Sequence, residues 1–210
     1  MKRRMIGLDD KPDKHTVLLL HFDGNVKDET GRHSITTHNT SYSSDAKFGQ
    51  SISFGSGNSY ISIPYSPELL PQPGKEFTVD FWVKTNGVTQ MISLFGNPSD
   101  GTFNGMQLGL GSDRLNFYYY NGGEKAIILS SMSQGSLNHI ALTFKDDSFY
   151  FFKNGGLLKT ISMNFQNAQN PLIIGKCRDI IAGLNGYIDE YRISNIARWT
   201  SNFTPPTKPY

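Results

Sequence analysis

Short runs of β-branched and aromatic residues alternate along this chain with clusters of Gly, Asn, Ser and Asp. Strands need this pattern, because successive side chains point to opposite faces and the connections need residues that tolerate tight backbone geometry. The pattern predicts many short strands and no helix of normal length. We expect strands at residues 17–22, 51–54, 60–63, 77–83, 91–95, 106–110, 114–119, 126–130, 139–144, 149–153, 157–163, 172–174 and 186–193.

The clearest turn is Asn154-Gly155-Gly156, which separates two apolar segments at 148–153 and 157–163. Asn and Gly tolerate the positive φ values of a tight hairpin, so the segments are predicted to pair. A two-stranded hairpin is only marginally stable in water, so its apolar face must rest on a second sheet. The sequence therefore predicts an all-β fold, a two-sheet antiparallel jelly-roll sandwich.

Composition excludes several classes of protein. The 210 residues are compatible with one β-sandwich domain, and the formal net charge of +2 comes from basic residues that are scattered apart from Lys2-Arg3-Arg4. We expect no nucleic-acid partner, because no stripe of cations suits a phosphate backbone. The single cysteine, Cys177, excludes an intrachain disulfide. No apolar run is long enough for a transmembrane helix, so membrane insertion is not expected.

The two ends of the chain differ from its middle. Residues 1–15 have little apolar content and are predicted to form an N-terminal arm, a possible docking segment outside the domain at 16–206. The charged start is followed by a polar stretch rather than an apolar one, so we expect no signal peptide and synthesis in the cytoplasm. Three prolines predict an extended C-terminal tail, 207–210, and Trp199 and Phe203 are expected to fix the preceding segment onto the sandwich.

Six segments carry a family resemblance. The first is Leu-Leu-His-Phe-Asp-Gly-Asn at 19–25, and the last is Gly-Tyr-Ile-Asp-Glu-Tyr-Arg-Ile-Ser at 186–194 with Ile-Ala-Arg-Trp-Thr-Ser-Asn-Phe-Thr-Pro-Pro at 196–206. Between them lie Lys-Phe-Gly-Gln-Ser at 47–51, Tyr-Ile-Ser-Ile-Pro at 60–64, Phe-Thr-Val-Asp-Phe-Trp-Val at 77–83 and Asn-His-Ile-Ala-Leu-Thr-Phe at 138–144. In this order they resemble the laminin-G-like, concanavalin-A-like jelly-roll domains of bacteriophage structural and fibre proteins. The resemblance covers about residues 16–206 and implies the same sandwich.

Catalysis is not expected. Glycoside hydrolysis needs two carboxyl groups about 5 to 9.5 Å apart across the scissile bond. In the last strand, alternation predicts one face with Tyr187, Asp189, Tyr191 and Ile193, and the other with Ile188, Glu190 and Arg192. Asp189 and Glu190 are then on opposite faces, and the chain has neither the Glu-x-Asp-x-x-Glu cluster of related glucan hydrolases nor a Gly-x-Ser-x-Gly motif.

A structural calcium ion is one reading of the acidic residues. In calcium-binding relatives of this sandwich, an acid near the first strand, loop carbonyls and an acid on the last strand meet on the convex side. The resemblance implies that Asp23, Gly57 or Asn58, and Asp189 are the matching positions. Such an ion would tie the two ends of the domain together. The alternative is that Asp23 caps a turn while Asp189 pairs with Arg192 or binds backbone amides.

Glycan recognition needs flat rings for stacking and amide or carboxyl groups for hydroxyls. Tyr118 and Tyr120 are predicted to share one face of a strand. The polar candidates nearby in sequence are Asn97, Asp100, Asn104 and Gln107. Core packing is the alternative role for each tyrosine, because half of every sandwich strand points inward.

Together, the residues and the resemblance predict a noncatalytic virion module of a bacteriophage. The first reading is a surface adhesin or decoration protein that binds glycans, including host-surface polysaccharide. The second is a structural fibre, cap or tail component without glycan binding, which docks onto other virion proteins through residues 1–15. A polysaccharide hydrolase or lyase is the third, and a homo-oligomer is compatible with all three.

Overall fold

The computed structural model describes residues 12–55, 57–87, 89–95, 106–111, 114–120, 124–163, 169–176 and 183–210. Within these ranges the regular structure is all strand, apart from a 3₁₀ turn at Pro67–Leu69. The strands are β1 Thr16–Leu20, β2 Thr36–His38, β3 Thr40–Ser43, β4 Ser51–Gly55, β5 Tyr60–Ile63, β6 Phe77–Thr85, β7 Thr89–Phe95, β8 Met106–Gly111, β9 Arg114–Tyr120, β10 Glu124–Ser131, β11 Leu137–Lys145, β12 Ser148–Lys153, β13 Gly156–Ser162, β14 Leu172–Ile174 and β15 Asn185–Ser194. No helix in the described ranges is long and apolar enough to cross a bilayer.

The strands form two layers. The large sheet has eight strands in the order β13-β12-β11-β6-β15-β4-β3, with β1 also paired to β15. The second layer consists of β10-β9-β8-β7 and β14-β5-β2, with β14 close beside β7. All of the pairings are antiparallel, which confirms the predicted sandwich. The predicted hairpin at Asn154-Gly155 joins β12 and β13.

The core lies between the inner faces of the layers. Phe77, Val79, Phe81 and Val83 of β6 all belong to this core, as alternation along a strand predicts. The two layers meet directly where the ring of Phe117 in β9 lies 4.8 Å from that of Phe151 in β12. Burial of such rings is the main favourable term that holds the layers together.

The two ends of the domain meet in the large sheet. Leu20 of β1 is the register partner of Tyr191 in β15, and β15 also pairs with β4 and β6. The first and last strands are therefore neighbours, as the family resemblance implies. Strand β15 therefore connects β1 and β4 with β6 in the large sheet.

A β-bulge in β15 overturns the predicted facing of this strand. The register with β6 shifts between Asp189 and Arg192, and Glu190 has φ of 53°. The extra residue brings Ile188, Tyr191 and Ile193 to the core. It leaves Asp189 opposite Trp82 and Arg192 opposite Asp80, on the outer face. Simple alternation was wrong here because a bulge inserts one residue and reverses the phase beyond it.

Two short strands and the 3₁₀ turn were not predicted. Strands β2 and β3 are mostly polar and partly exposed, so no apolar alternation marks them. Residues 1–11 of the predicted arm lie outside the described ranges, and its docking role stays a prediction. The end of the arm is tied to the domain, because the carboxylate of Asp13 lies 2.9 Å from Nη2 of Arg198.

Residues 195–210, which we call the strap, lie across the outer face of the large sheet. Near its start, Thr78 Oγ1 donates to the carbonyl of Ile196 at 2.7 Å. Further along, the Phe203 amide donates to the carbonyl of Gly155 at 2.9 Å. The rings of Trp199 and Phe203 stack at 3.9 Å, and Phe203 also meets Phe152 at 5.3 Å. These contacts confirm that both rings fix the segment onto the sandwich.

Replacing Phe203 with Ala is expected to lower the free energy of unfolding by about 2 kcal/mol, because a partly buried ring and its stacking contacts are lost. Urea denaturation followed by fluorescence measures this. Tyr42→Ala is the control, since Tyr42 is 41% exposed and should change stability by less than about 0.5 kcal/mol. Equal effects of the two substitutions would contradict the anchoring role.

Candidate functional site

Two acidic residues from opposite ends of the domain meet at one loop. Asp23 follows β1, and its Oδ1 accepts from the Gln50 amide at 2.7 Å. Asp189 lies in β15, and its Oδ2 accepts from the amides of Lys47 and Phe48 at 2.8 and 2.9 Å. The backbone amides of the loop 47–50 therefore bind both carboxylates. This accounts for the role of the Lys-Phe-Gly-Gln sequence in the fold.

Gly49 is required in this loop by space and by backbone conformation. Its φ is +53°, and a Cβ added there would lie 2.0 Å from Oδ1 of Asp23. Any side chain would therefore displace the carboxylate. The loop can approach Asp23 closely only because residue 49 has no Cβ.

Asp189 is fully buried and incompletely satisfied. Its Oδ1 has no hydrogen-bond partner in the described part of the chain, although Oδ2 accepts two amides. Burial raises the pKa of Asp189 to about 8, the two amide bonds oppose that rise, and the charges of Glu190 and Asp23 add to it. An unpaired buried carboxylate oxygen beside another acid is a costly arrangement that a cation would relieve.

The structure does not bring Gly57 and Asn58 to these acids. Strand β4 separates them from the loop at 47–50, and about five residues of extended chain span roughly 16 Å. The carbonyl of Asn58 accepts from Nδ2 of Asn39 at 3.2 Å instead.

The oxygen atoms at this loop are of the type that binds hard cations. Asp23 and Asp189 supply carboxylate oxygens beside a loop whose backbone is already folded around them, and such oxygens are the ligands that Ca²⁺ prefers. The described ranges contain no group of three or more His, Cys, Asp or Glu side chains suited to a metal. Arg192 does not neutralise Asp189, because its guanidinium binds Asp80 with two contacts of 3.0 Å.

The bulge also places Glu190 on the outer face, next to Asp189. Glu190 lies 2.8 Å from Nδ1 of His21 and accepts from the Tyr210 amide at 3.0 Å. The expectation that these two acids face opposite sides was wrong for the reason given above. Both are at most 1% exposed, but among the described residues only Glu190 has a side chain as a partner, whereas Asp189 has two backbone amides.

A second polar group lies on the outer face of the second layer. Gln107 of β8 is the register partner of Tyr118 in β9, while their neighbours Leu108 and Phe117 enter the core. Two predicted glycan-contacting residues are therefore adjacent. Of the other candidates, Asn97, Asp100 and Asn104 lie outside the described ranges, and the side chain of Tyr120 is not described.

Asn116 completes this group, although the sequence interpretation missed it. Its Nδ2 donates to the Tyr118 hydroxyl at 3.1 Å. Its Oδ1 is buried and has no partner in the described part of the chain. The sequence feature that could have identified Asn116 is its position two residues before Tyr118, because residues at this spacing share one face of a strand.

The neighbours of Asn116 shape the surface around it. Gly109 on β8 and Ile128 on β10 are its register partners, and Ile128 is 54% exposed. Asn116 itself is 8% exposed, and the isoleucine presents an apolar surface beside it. A hydroxyl donor with an apolar ring face would match this combination.

A comparison with protein families identifies the chain. The profile of Laminin_G_3, described as the concanavalin A-like lectin/glucanases superfamily, matches residues 54–201. The chain belongs to this family. No curated protein sequence matches this Laminin_G_3 domain significantly.

Several solved structures share the fold of this Laminin_G_3 domain. Domain 4 of AbnA, a GH43 extracellular arabinanase from Geobacillus stearothermophilus solved with arabinotriose, has a TM-score of 0.70 and 20% identity, covering 87% of this chain and 93% of that one. The binding domain of Paraclostridial Mosquitocidal Protein 1 has a TM-score of 0.69 and 17% identity, with 87% and 49% covered. A structure of botulinum neurotoxin type C, whose cell entry depends on interaction with two ganglioside molecules, has a TM-score of 0.64 and 15% identity, with 87% and 48% covered. The chain thus spans about half the length of the two toxin chains.

The raised pKa of Asp189 predicts a pH-dependent stability in the presence of a chelator. The folded state keeps this proton up to about pH 8, whereas the unfolded chain releases it near the ordinary value of 3.8. Folding therefore takes up a proton between these pH values, and the free energy of unfolding falls as the pH rises through them. Asp189→Asn, which keeps an oxygen for the two amides, is expected to be more stable than wild type at pH 8 by a few kcal/mol and similar at pH 4.

Urea denaturation in EGTA at both pH values measures this difference. Asp45→Asn is the control, because Asp45 is 43% exposed on its side chain and pairs with Lys84. An identical pH dependence of wild type and Asp189→Asn would show that the buried carboxylate does not control it.

Proposed function

We propose that the protein is a noncatalytic glycan-binding module whose site lies on the outer face of β8 and β9. The observation that carries this proposal is the group formed by Gln107, Asn116 and Tyr118. It combines a ring, two amides and a buried acceptor oxygen that has no partner in the described ranges. Sugars are held by this pairing of apolar surface with a few fixed polar groups.

The structural neighbours support the same function. One was solved with arabinotriose, and the two toxin structures are connected by their descriptions with binding or with gangliosides. Their sequence identities to this chain are low, so they support the proposal through the shared architecture alone. The specific argument rests on the residues of this chain.

Absence of catalysis is part of the proposal. The carboxylates that the bulge brings together, Asp189 and Glu190, are buried and bind backbone amides and His21. A glycosidic bond has to reach both carboxyl groups of a hydrolase. Reducing-end release from polysaccharides, lost on replacing one acid, would overturn this part.

The wider setting that we propose is a bacteriophage virion, with the domain as a surface adhesin or decoration. The support is the ordered resemblance of six segments to phage structural proteins, and residues 1–15 are proposed to dock onto other virion proteins. Deleting residues 1–11 should abolish incorporation into particles while leaving glycan binding unchanged. Failure of both forms to bind glycans would favour a purely structural virion component.

Glycan binding itself is tested by an array of plant, bacterial and animal glycans, followed by titration of the best ligand. Tyr118→Ala and Asn116→Leu are expected to weaken binding by about tenfold or more each, because a stacking surface or a buried hydrogen bond is lost. Tyr150→Ala is the matched control, since this partly buried tyrosine lies in β12 of the other layer. Equal losses in all three variants, or no glycan bound by the wild type, would reject the site.

We also propose a structural calcium ion between Asp23 and Asp189. The supporting observations are the unpartnered Oδ1 of Asp189, the adjacent Asp23 and the loop that closes around both. When bound, the ion would take the place of the Asp189 proton and join the two ends of the domain. The residues of the chain hold the site in shape through the amides of Lys47, Phe48 and Gln50.

Calcium at about 100 times its dissociation constant should stabilise the fold by about 2.7 kcal/mol, which raises the melting temperature by several degrees. Scanning fluorimetry at pH 7.5 with calcium or EGTA measures the difference. Asp23→Asn and Asp189→Asn should lose the response, and Asp45→Asn should retain it. A wild-type melting temperature that is insensitive to calcium would refute the ion and leave Asp23 as a loop acceptor only.

A further inference from the structure

Three side chains form an aromatic and basic group on the second layer, which we call the basic platform. The imidazole of His38 in β2 stacks on the ring of Tyr60 in β5, with centroids 4.1 Å apart and an interplanar angle of 15°. The ammonium of Lys176, which follows β14, lies 3.8 Å from the centroid of the same ring. All three side chains are only partly buried. The ring of Tyr60 is thus contacted from the two strands that flank β5, and solvent still reaches the group.

The backbone fixes one half of the platform in place. His38 and Tyr60 are register partners in the pair of β2 and β5. Directly after His38, the side chain of Asn39 donates to the carbonyl of Asn58 at 3.2 Å. Ser59 Oγ donates in return to the carbonyl of Asn39 at 2.6 Å. The two chain segments are therefore joined immediately beside the stacked rings, which keeps the rings together without a ligand.

The other half of the platform is fixed through β14. Ile174 pairs with Ile61 of β5, and the Leu184 amide donates to the carbonyl of Gly175 at 2.6 Å. Lys176 follows directly, and its ammonium is held over an aromatic ring by a cation–π interaction. A lysine that is already ordered loses less conformational freedom when a ligand binds than a free lysine does.

The platform faces outward on the layer that contains the proposed glycan site. Ile61 and Ile63 of β5 belong to the core, so Tyr60 and Ser62 point away from it. Thr36 of β2 is the register partner of Ser62, and their hydroxyls continue the polar surface along the strands. Because β14 lies beside β7, the platform and the strands β8 and β9 share one outer face.

The chemistry of the platform suits an anion. Since His38 and Lys176 cover the Tyr60 ring, it is poorly placed to stack on a sugar. The groups that remain are an ammonium, a phenol hydroxyl and an imidazole N–H, and all of these donate hydrogen bonds. Strands β2, β5 and β14 contain no Asp or Glu. In the part of the chain that the structure describes, Lys176 forms no ion pair.

The platform lies too far from the proposed glycan site for one sugar unit to contact both. From β9 the path across the layer runs through β8, β7 and β14 to β5, which is four steps between neighbouring strands. At roughly 4.8 Å a step, this separates Tyr118 and Tyr60 by about 19 Å across the strands. A chain of several sugar units can span this distance.

We propose that the basic platform is a second subsite of the glycan-binding face and that the ligand is an acidic polysaccharide. An anionic group of the polysaccharide, a carboxylate or a sulfate ester, binds the donors of His38, Tyr60 and Lys176. Another unit of the same polysaccharide lies on Tyr118. This inference rests on the proposed glycan-binding function and specifies its class of ligand. Two weak subsites on one polymer reinforce each other, because binding at one raises the effective concentration at the other.

Two matched pairs of polymers test the requirement for charge on the full chain. The first pair is polygalacturonate and its methyl ester, and the second is dextran sulfate and dextran. Wild type is expected to bind the acidic member of at least one pair about tenfold or more tightly at low ionic strength, as measured by biolayer interferometry. The responding pair distinguishes a carboxylate from a sulfate ester. Polyglutamate, a polyanion without sugar rings, should bind more weakly, and equal binding would overturn a polysaccharide ligand.

Substitutions locate the preference for acidic polymers. Lys176→Gln is expected to weaken binding of the acidic polymer by about fivefold or more and to leave the neutral polymer unaffected. Tyr60→Phe keeps the ring and removes the hydroxyl, so a smaller loss in the same direction is expected. Lys159→Gln is the matched control, because it removes the same charge from an exposed position in β13 of the other layer. Equal losses in the two lysine variants would indicate an effect of net charge and overturn the platform.

The outcomes separate this inference from the proposed function. Equal binding of neutral and acidic polymers, unchanged in Lys176→Gln, would overturn the platform and leave glycan binding intact. A preference for the acidic polymer that depends on Lys176 and not on Tyr118 would support the platform and reject the site on β8 and β9. Binding to none of the five polymers would overturn the platform, whereas the glycan array decides on the proposed function.

Discussion

The bulge at Glu190 is the feature on which the outer face of the large sheet depends. One additional residue in β15 puts Asp189, Glu190 and Arg192 on the same face while Tyr191 and Ile193 still reach the core. Three charged groups are thereby concentrated on a sheet surface that the strap and the loop at 47–50 cover. Burial of such groups is unfavourable unless each finds partners, so the bulge dictates what must pack above it.

The three charged groups differ in how many of their oxygen and nitrogen atoms have hydrogen-bond partners. Arg192 pairs with Asp80, and Glu190 pairs with His21 and the Tyr210 amide. Asp80 is held ionised, since the charge of Arg192 and the bonds from His139 and Arg192 lower its pKa well below the usual range despite its burial. Among the described residues Asp189 accepts from two amides, and burial raises its pKa. The two buried aspartates of this sheet therefore differ in their partners: Asp80 has a guanidinium beside it, and Asp189 has none in the part of the chain that the structure describes.

Much of the fold could be predicted, because its signals are local. Alternation in β6 and the Asn154-Gly155 turn report directly on strand faces and hairpin register. The bulge could not be predicted, since glutamate rarely adopts positive φ and nothing in the alternation indicates an inserted residue. For the site, the pairing of Gln107 with Tyr118 needed the register between β8 and β9. The position of Tyr210 depends on a segment returning across the sheet, which no local pattern encodes.

The glycine at position 155 serves two structures at once. It makes the β12–β13 turn with φ of +79°, and a Cβ there would lie 1.9 Å from the carbonyl oxygen of Phe203. The hairpin tip is consequently also a contact surface for the strap. A substitution that changes the turn would therefore displace the strap as well. Grafting a foreign loop onto this tip would therefore loosen a segment that is almost fifty residues further along the chain.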